Sequence, residues 1–162
     1  MIRVGTGFDV HAFDDDRPLI IGGVLLPETP GLSGHSDADV LSHAITDALL
    51  GAGGLGDLGA LYPATDEWRD ASSLSILADA ALRAREAGWI VSNVDCTVIA
   101  ERPRLGPFKD EMTANLARAL DVEPDAVSVK ATTTDGLGFT GRGEGIAAQA
   151  VVVLASSAGL ES

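Results

Sequence analysis

The chain's three histidines, His11, His35 and His43, all fall within its first 43 residues. Asp9-Val10-His11 sets a carboxylate and an imidazole two positions apart, and in an extended segment such residues point to the same face. That pair makes a two-ligand arm for a metal. His43, one turn into a helix read below, can supply a third ligand. Two imidazoles and one carboxylate with a fourth position open is a common arrangement for catalytic zinc. The same set suits iron, so ligand type leaves the metal open. The plainer alternative is that Asp9 caps a turn and the histidines are ordinary polar residues.

Two further segments carry chemistry. Lys130-Ala131-Thr132-Thr133-Thr134-Asp135 ends a strand with hydroxyls, one ammonium and a carboxylate, a set that can hold phosphate oxygens and a second metal. Threonine is also simply a good strand residue. Gly138-Phe139-Thr140-Gly141-Arg142-Gly143-Glu144-Gly145 lacks the spacing of a dinucleotide fingerprint, and no helix is evident after it. It reads as a tight loop presenting Phe139, Arg142 and Glu144, or as a hairpin turn with a surface Arg–Glu pair. Asp14-Asp15-Asp16 reads as a solvated loop.

The elements that must position these groups follow from periodicity and punctuation. Residues 2–8 read as a strand, and Pro18 to Leu26 as an extended hairpin around Gly22-Gly23. Ser36 to Ala52 reads as a helix capped by Ser36 or Asp37 and ended by Gly51, Gly53 and Gly54. Residues 54–68 read as a loop, 70–87 as a packing helix stopped by Gly88, and 89–100 as a strand. A Pro-containing loop, a helix over 107–120, a strand over 127–133, a Gly-rich loop and a last strand over 145–155 complete the order. The expectation is one α/β domain over 1–157, α+β sandwich-like, a mixed sheet with helices on one face, and a short tail over 158–162.

Composition narrows the function. The 162 residues and 46% apolar content suit one folded domain with a real core. No run of about 18 uncharged apolar residues appears, and the N-terminus reads as a strand rather than a signal peptide. A single cysteine, Cys96, leaves no internal disulfide and no thiolate zinc cluster. These features favour the cytoplasm of a bacterium. A net charge of −13 argues against a nucleic-acid partner, and an anionic substrate would need bound divalent metal to reverse the local field.

The motifs Gly5-Thr-Gly-Phe-Asp9-Val-His11, Gly34-His35-Ser36-Asp37, His43-Ala-Ile-Thr-Asp47-Ala-Leu-Leu-Gly51, Gly56-Asp57-Leu-Gly59, Asn93-Val-Asp95, Val129-Lys130-Ala-Thr-Thr133 and Gly138-Phe-Thr-Gly-Arg142-Gly-Glu144-Gly145 occur in this order from end to end. In that order the chain resembles the 2-C-methyl-D-erythritol 2,4-cyclodiphosphate synthase family. The resemblance implies that Asp9, His11 and His43 bind zinc, and that His35 and Ser36 position substrate phosphates. Lys130 either supports the phosphate site or forms a structural ion pair. Asp57 and Gly59 would hold the cytidine ribose. Ala100, Pro103, Arg104 and Leu105 would contact the cytosine with Ala131, and Thr132 and Thr133 the nucleotide phosphates. Asp135 would reach a second divalent ion, magnesium or manganese. Family membership further implies a homotrimer with active sites between subunits, with Phe139, Arg142 and Glu144 lining a central cavity that can hold an isoprenoid diphosphate.

Three positions depart from the family pattern. Asp135 stands where Glu is commoner, Arg104 where Lys is common, and Gly136 where a basic residue is common. The implied reaction is metal-centred, with Asp9, His11, His35, His43 and Thr133 as its residues. The 2-phosphate of 4-diphosphocytidyl-2-C-methyl-D-erythritol 2-phosphate attacks the β-phosphorus and CMP leaves. It needs no covalent protein nucleophile, because phosphate attacking phosphate is mainly a problem of charge and geometry. The rival classes are a metal-dependent phosphohydrolase and a non-catalytic trimer that binds isoprenoid diphosphate.

Overall fold

The computed structural model describes residues 1–157, so the expected tail over 158–162 lies outside the described residues. Among the described residues, five strands form one mixed sheet in the order β2-β1-β5-β3-β4. They are β1 (Ile2–Ile21), β2 (Val24–Leu32), β3 (Trp89–Ile99), β4 (Val127–Thr132) and β5 (Gly145–Ser156). Only the β3–β4 pair is parallel, and the crossover between them carries a helix. The other pairs are antiparallel.

β1 differs from the expected short strand. It runs for 20 residues, pairing with β5 through Ala12 and with β2 from Phe13 onward. The Asp14-Asp15-Asp16 segment, expected as a loop, lies inside this strand at a register shift between Asp14 and Pro18. A bulge there satisfies locally what a loop would otherwise have to, since the Asp16 amide donates to the Asp14 carboxylate at 3.0 Å. The hairpin at Gly22-Gly23 is where the sequence places it, with both glycines at positive φ.

The helices are α1 (Val40–Gly53), the short turn α2 (Leu58–Leu61), α3 (Ser73–Glu86), α4 (Lys109–Leu120) and the short turn α5 (Gly138–Gly141). α2 and α5 lie in segments expected to be loops. α1 starts later than expected, and its cap is Asp39 rather than Ser36 or Asp37. The reason is competition for the side chains. The Asp39 carboxylate accepts from the Ser42 amide and hydroxyl and from the Gly22 and Gly23 amides, while Ala38 turns through φ 58°. Ser36 and Asp37 are engaged elsewhere, as described below. The end of α1 is a left-handed Gly54, as its glycines indicate.

Burial alternates along β5 from Ala148 onward: Ala148, Ala150, Val152 and Leu154 are buried, and Gln149, Val151 and Val153 between them are more exposed. The helices cover that one face. α1 is apolar nearly all round because it lies between the sheet and α3, and only Asp47 and Gly51 of its 14 residues escape burial. The opposite face of the sheet leaves Ile2, Val4, Phe8 and Val10 exposed.

Candidate active site

The metal-ligand candidates come together through two elements. Asp9 and His11 leave the helix-facing side of β1, two residues apart, as the period of a strand requires. His43 leaves the first turn of α1, its amide bonded to the Asp39 carbonyl. What lets helix and strand meet is Gly5 and Gly7. A Cβ on Gly5 would lie 2.0 Å from the Ala48 carbonyl oxygen, and one on Gly7 would lie 1.9 Å from that of Ala44. Backbone therefore packs on backbone, and His43 is brought to Asp9 and His11 at close range.

The Asp9 Oδ2 atom is 2.8 Å from His11 Nε2 and 3.1 Å from His43 Nδ1, and the two imidazole nitrogens are 3.2 Å apart. A tetrahedral ion with bonds of about 2.0–2.1 Å separates its ligand atoms by about 3.3–3.4 Å. The triangle is thus a few tenths of an ångström tighter than a loaded site, and the donor set fits a divalent metal. Among the described residues this is the one group of three metal-capable side chains so closely gathered.

Electrostatics agree with that reading. Burial pushes the Asp9 carboxyl up, but hydrogen bonds and charge from His11 and His43 outweigh it and hold the group well below the usual carboxylate range. Burial pushes His11 down, yet the Asp9 carboxylate wins and raises it. The imidazole Nδ1–H donates to the Ser33 carbonyl at 2.6 Å, which leaves Nε2 as the atom that faces Asp9 and would carry any second proton. A cation at the same point would replace that proton, and the Ser33 bond would keep Nε2 aimed at it.

These ligands open onto a cavity of about 370 Å³ lined also by His35, Ser36, Asp47, Gly59, Tyr62 and Trp68. His35 bonds the Thr65 carbonyl through Nε2 at 2.5 Å. Ser36 is almost buried, its hydroxyl 3.0 Å from His43 Nε2, so its side chain stands behind the metal ligands. Arg17 donates to the carbonyls of Gly34 and Ser36 and clamps this loop, a role that the spacing of residues in the sequence does not signal. Asp57 caps α2 through the Ala60 amide at 2.8 Å, which sets Gly59 at the cavity wall.

A second cavity of about 470 Å³ lies at the β4 edge of the sheet. Ala100, Pro103, Arg104, Leu105, Ala131, Thr132 and Thr133 line it together, the whole set expected for the nucleotide base and phosphates. Glu101, a residue not expected at the site, also lines it and accepts from the Thr134 amide at 3.0 Å, tying the two segments. Asp135 follows at φ 52°, its carboxylate accepting from the Thr133 hydroxyl at 3.1 Å. Lys130 lines neither cavity and pairs with Asp95 at 2.7 Å, the structural ion pair of the two expected alternatives. Arg142 and Glu144 form an exposed pair, and Phe139 sits half-exposed on α5.

The two cavities are apart within one protomer. Asp9 pairs with Ala148, Ala148 with Val98 and Val98 with Ala131, so Asp9 and the Ala131 wall of the second cavity stand three strands apart in one row. That is about 14 Å, with buried Ala148 and Val98 under the helices between them.

Fold and site together define a class: an α/β protein presenting a two-histidine, one-carboxylate group that could hold a metal beside a cavity of about 370 Å³. The model of the YgbB family matches residues 2–155, and the chain belongs to that family. Curated relatives named 2-C-methyl-D-erythritol 2,4-cyclodiphosphate synthase include one from Salinibacter ruber, 57% identical over 96% of this chain and all of its own length. Another, from Geobacillus kaustophilus, is 57% identical over 97% of this chain and all of its own. Among solved structures, the bifunctional IspDF from Campylobacter jejuni superposes with a TM-score of 0.92 at 48% identity, covering 96% of this chain, which spans 42% of that longer protein. The CDP complex of IspF from Plasmodium falciparum gives 0.84 at 31% identity, covering 96% of both chains.

Proposed function

We propose that the chain catalyses the cyclisation for which its relatives are named: 4-diphosphocytidyl-2-C-methyl-D-erythritol 2-phosphate becomes 2-C-methyl-D-erythritol 2,4-cyclodiphosphate with release of CMP. The observation that carries this is the convergence of Asp9, His11 and His43 at 2.8–3.2 Å on a cavity wall. It occurs in a chain 57% identical to synthases of that name over nearly its whole length.

In this reading Asp9, His11 and His43 hold zinc, and Asp135 helps hold a second divalent ion, magnesium or manganese. When bound, these ions supply Lewis-acid polarisation of phosphate oxygens and neutralise charge on the diphosphate. His35, at the same cavity, positions the attacking 2-phosphate, and Ser36 acts from behind through His43. Ala100, Pro103, Arg104, Leu105 and Ala131 receive the cytosine, Thr132 and Thr133 bind the nucleotide phosphates, and Asp57 with Gly59 meets the ribose. Lys130 supports the nucleotide strand through its pair with Asp95. The solved CDP complex of the Plasmodium falciparum relative supports a cytidine-linked substrate.

The site would be completed between copies. The base pocket and metal ligands of one protomer are about 14 Å apart with the buried β5 and β3 residues between them, whereas a neighbouring copy can bring its own pocket to this metal centre. We take the assembly to be a homotrimer, with Phe139, Arg142 and Glu144 near its axis, lining a cavity for an isoprenoid diphosphate.

The test is a product assay by mass spectrometry and phosphorus NMR with zinc and magnesium, against a chelated control. Metal-dependent cyclic diphosphate and equimolar CMP are expected. Free phosphate instead would make the chain a phosphohydrolase, and metal binding without turnover would make it a binding protein.

A further inference from the structure

His43 offers Nδ1 to the metal triangle, so its other nitrogen must be protonated for that lone pair to be free. The structure holds a buried partner for that proton. Ser73, the first residue of α3 and fully buried, places its hydroxyl oxygen 2.9 Å from His43 Nε2. That hydroxyl hydrogen is already committed, since Ser73 Oγ donates to Asp37 Oδ1 in a short bond, while the Ser73 amide donates to Asp37 Oδ2 at 3.0 Å. The Asp39 amide adds a third bond to the same carboxylate at 3.1 Å. With its hydrogen turned to Asp37, Ser73 Oγ can only accept from His43. Ser36 Oγ, at 3.0 Å from the same nitrogen, accepts from the Ala38 amide at 3.3 Å and lies 3.4 Å from Ser73 Oγ, and among the described residues no carboxylate orients it.

We propose that Ser73 and Asp37 are positioning residues for the metal centre: the relay His43 Nε2–H to Ser73 Oγ–H to the Asp37 carboxylate holds the His43 ring in the tautomer and orientation that aim Nδ1 at the ion. The inference rests on reading Asp9, His11 and His43 as metal ligands. It differs from a purely structural role for the serine, because the tie between the start of α3 and Asp37 also runs through the Ser73 amide, which does not need the hydroxyl. Partners of this kind typically change metal affinity by about 10- to 100-fold when removed.

The experiment measures zinc affinity of the stripped protein by competition with a chromophoric chelator, with thermal melts of the metal-free forms alongside. Ser73→Ala is expected to bind zinc about 10- to 100-fold more weakly while the metal-free melt stays close to the parent's. Ser36→Ala is expected to lose less. Parent-like zinc affinity in Ser73→Ala overturns the relay. Should Ser73→Ala fail to fold, Asp37→Asn, which conserves volume, decides the matter on the same readout. His43→Ala distinguishes failure of the relay from failure of the metal centre. If it binds zinc as the parent does, the metal-centre reading falls and the relay with it. If it loses zinc while Ser73→Ala does not, only the relay falls.

Discussion

At the scale of single residues, the wall of the metal cavity is as specified as its ligands. Tyr62 stacks edge-on against Trp68 with ring centroids 5.1 Å apart, and its phenol donates to Asp79 at 2.6 Å. Arg83 donates to the same carboxylate at 2.7 Å. Burial and the Asp79 charge together push the phenol from 10.0 to about 12. This is the chain's one tyrosine, so an ultraviolet titration reads it without overlap. The folded protein is expected to ionise at about 12, and Asp79→Ala to bring the midpoint back toward 10.0. The sign for stability follows. The folded state holds this proton more tightly than the unfolded chain, so the contact contributes fully below the unfolded value and is lost as pH rises from 10.0 to about 12. Melts of parent and Asp79→Ala should therefore converge across that window.

At the scale of elements, the metal centre depends on how closely α1 lies on β1. Gly7→Ala would drive a methyl into the Ala44 carbonyl, so helix and strand must separate. Overpacking of this kind costs about 1–3 kcal/mol. Because His43 sits one residue before Ala44 and Asp9 two after Gly7, the separation should also weaken zinc binding. A lower melting temperature with parent-like zinc affinity would mean that the glycines serve packing alone. Much of this geometry is legible in the sequence. Period two puts Asp9 and His11 on one face, helical punctuation places His43 in a first turn, and the glycines of the Gly5-Thr-Gly-Phe-Asp motif share the face of Asp9. The start of α1 is less legible, because Ser36, Asp37 and Asp39 are all good caps. The choice among them is made by Ser73 and the Gly22-Gly23 hairpin, 36 and 17 residues away from Asp37 and Asp39 respectively. Ser73 and Arg17 escape notice in the sequence for the same reason: each acts on a loop that only the tertiary fold brings to it.

At the scale of the molecule, the uncovered sheet face is the surface that the proposed trimer would bury. Ile2, Val4 and Phe8 are each more than half exposed on it, a density of large apolar side chains that a lone protomer has little reason to present. Val4→Asp alters a side chain that makes no part of the protomer's core, so the subunit should fold as before. The proposed trimer should then fall apart, and turnover should drop with it because base pocket and metal centre no longer meet. Sedimentation velocity and the product assay, run over one concentration series, check both. A monomeric parent with full activity would show that each protomer holds a complete site. The net charge of −13 works on the same scale, since each divalent ion of the proposed site would offset part of it where an anionic substrate approaches.

The pairing of β1 with β5 has one more consequence. Ile2 lies opposite Ala155, and the Ser156 amide donates to the Met1 carbonyl at 3.0 Å, so the chain enters and leaves the fold side by side. Asp9 and His11 sit roughly 25 Å farther along the strand. The domain is therefore built like a plug on a two-pronged stem. A foreign polypeptide spliced on at either prong, or a short bridge joining the two with new ends opened in a distant loop, would join the fold well away from Asp9 and His11.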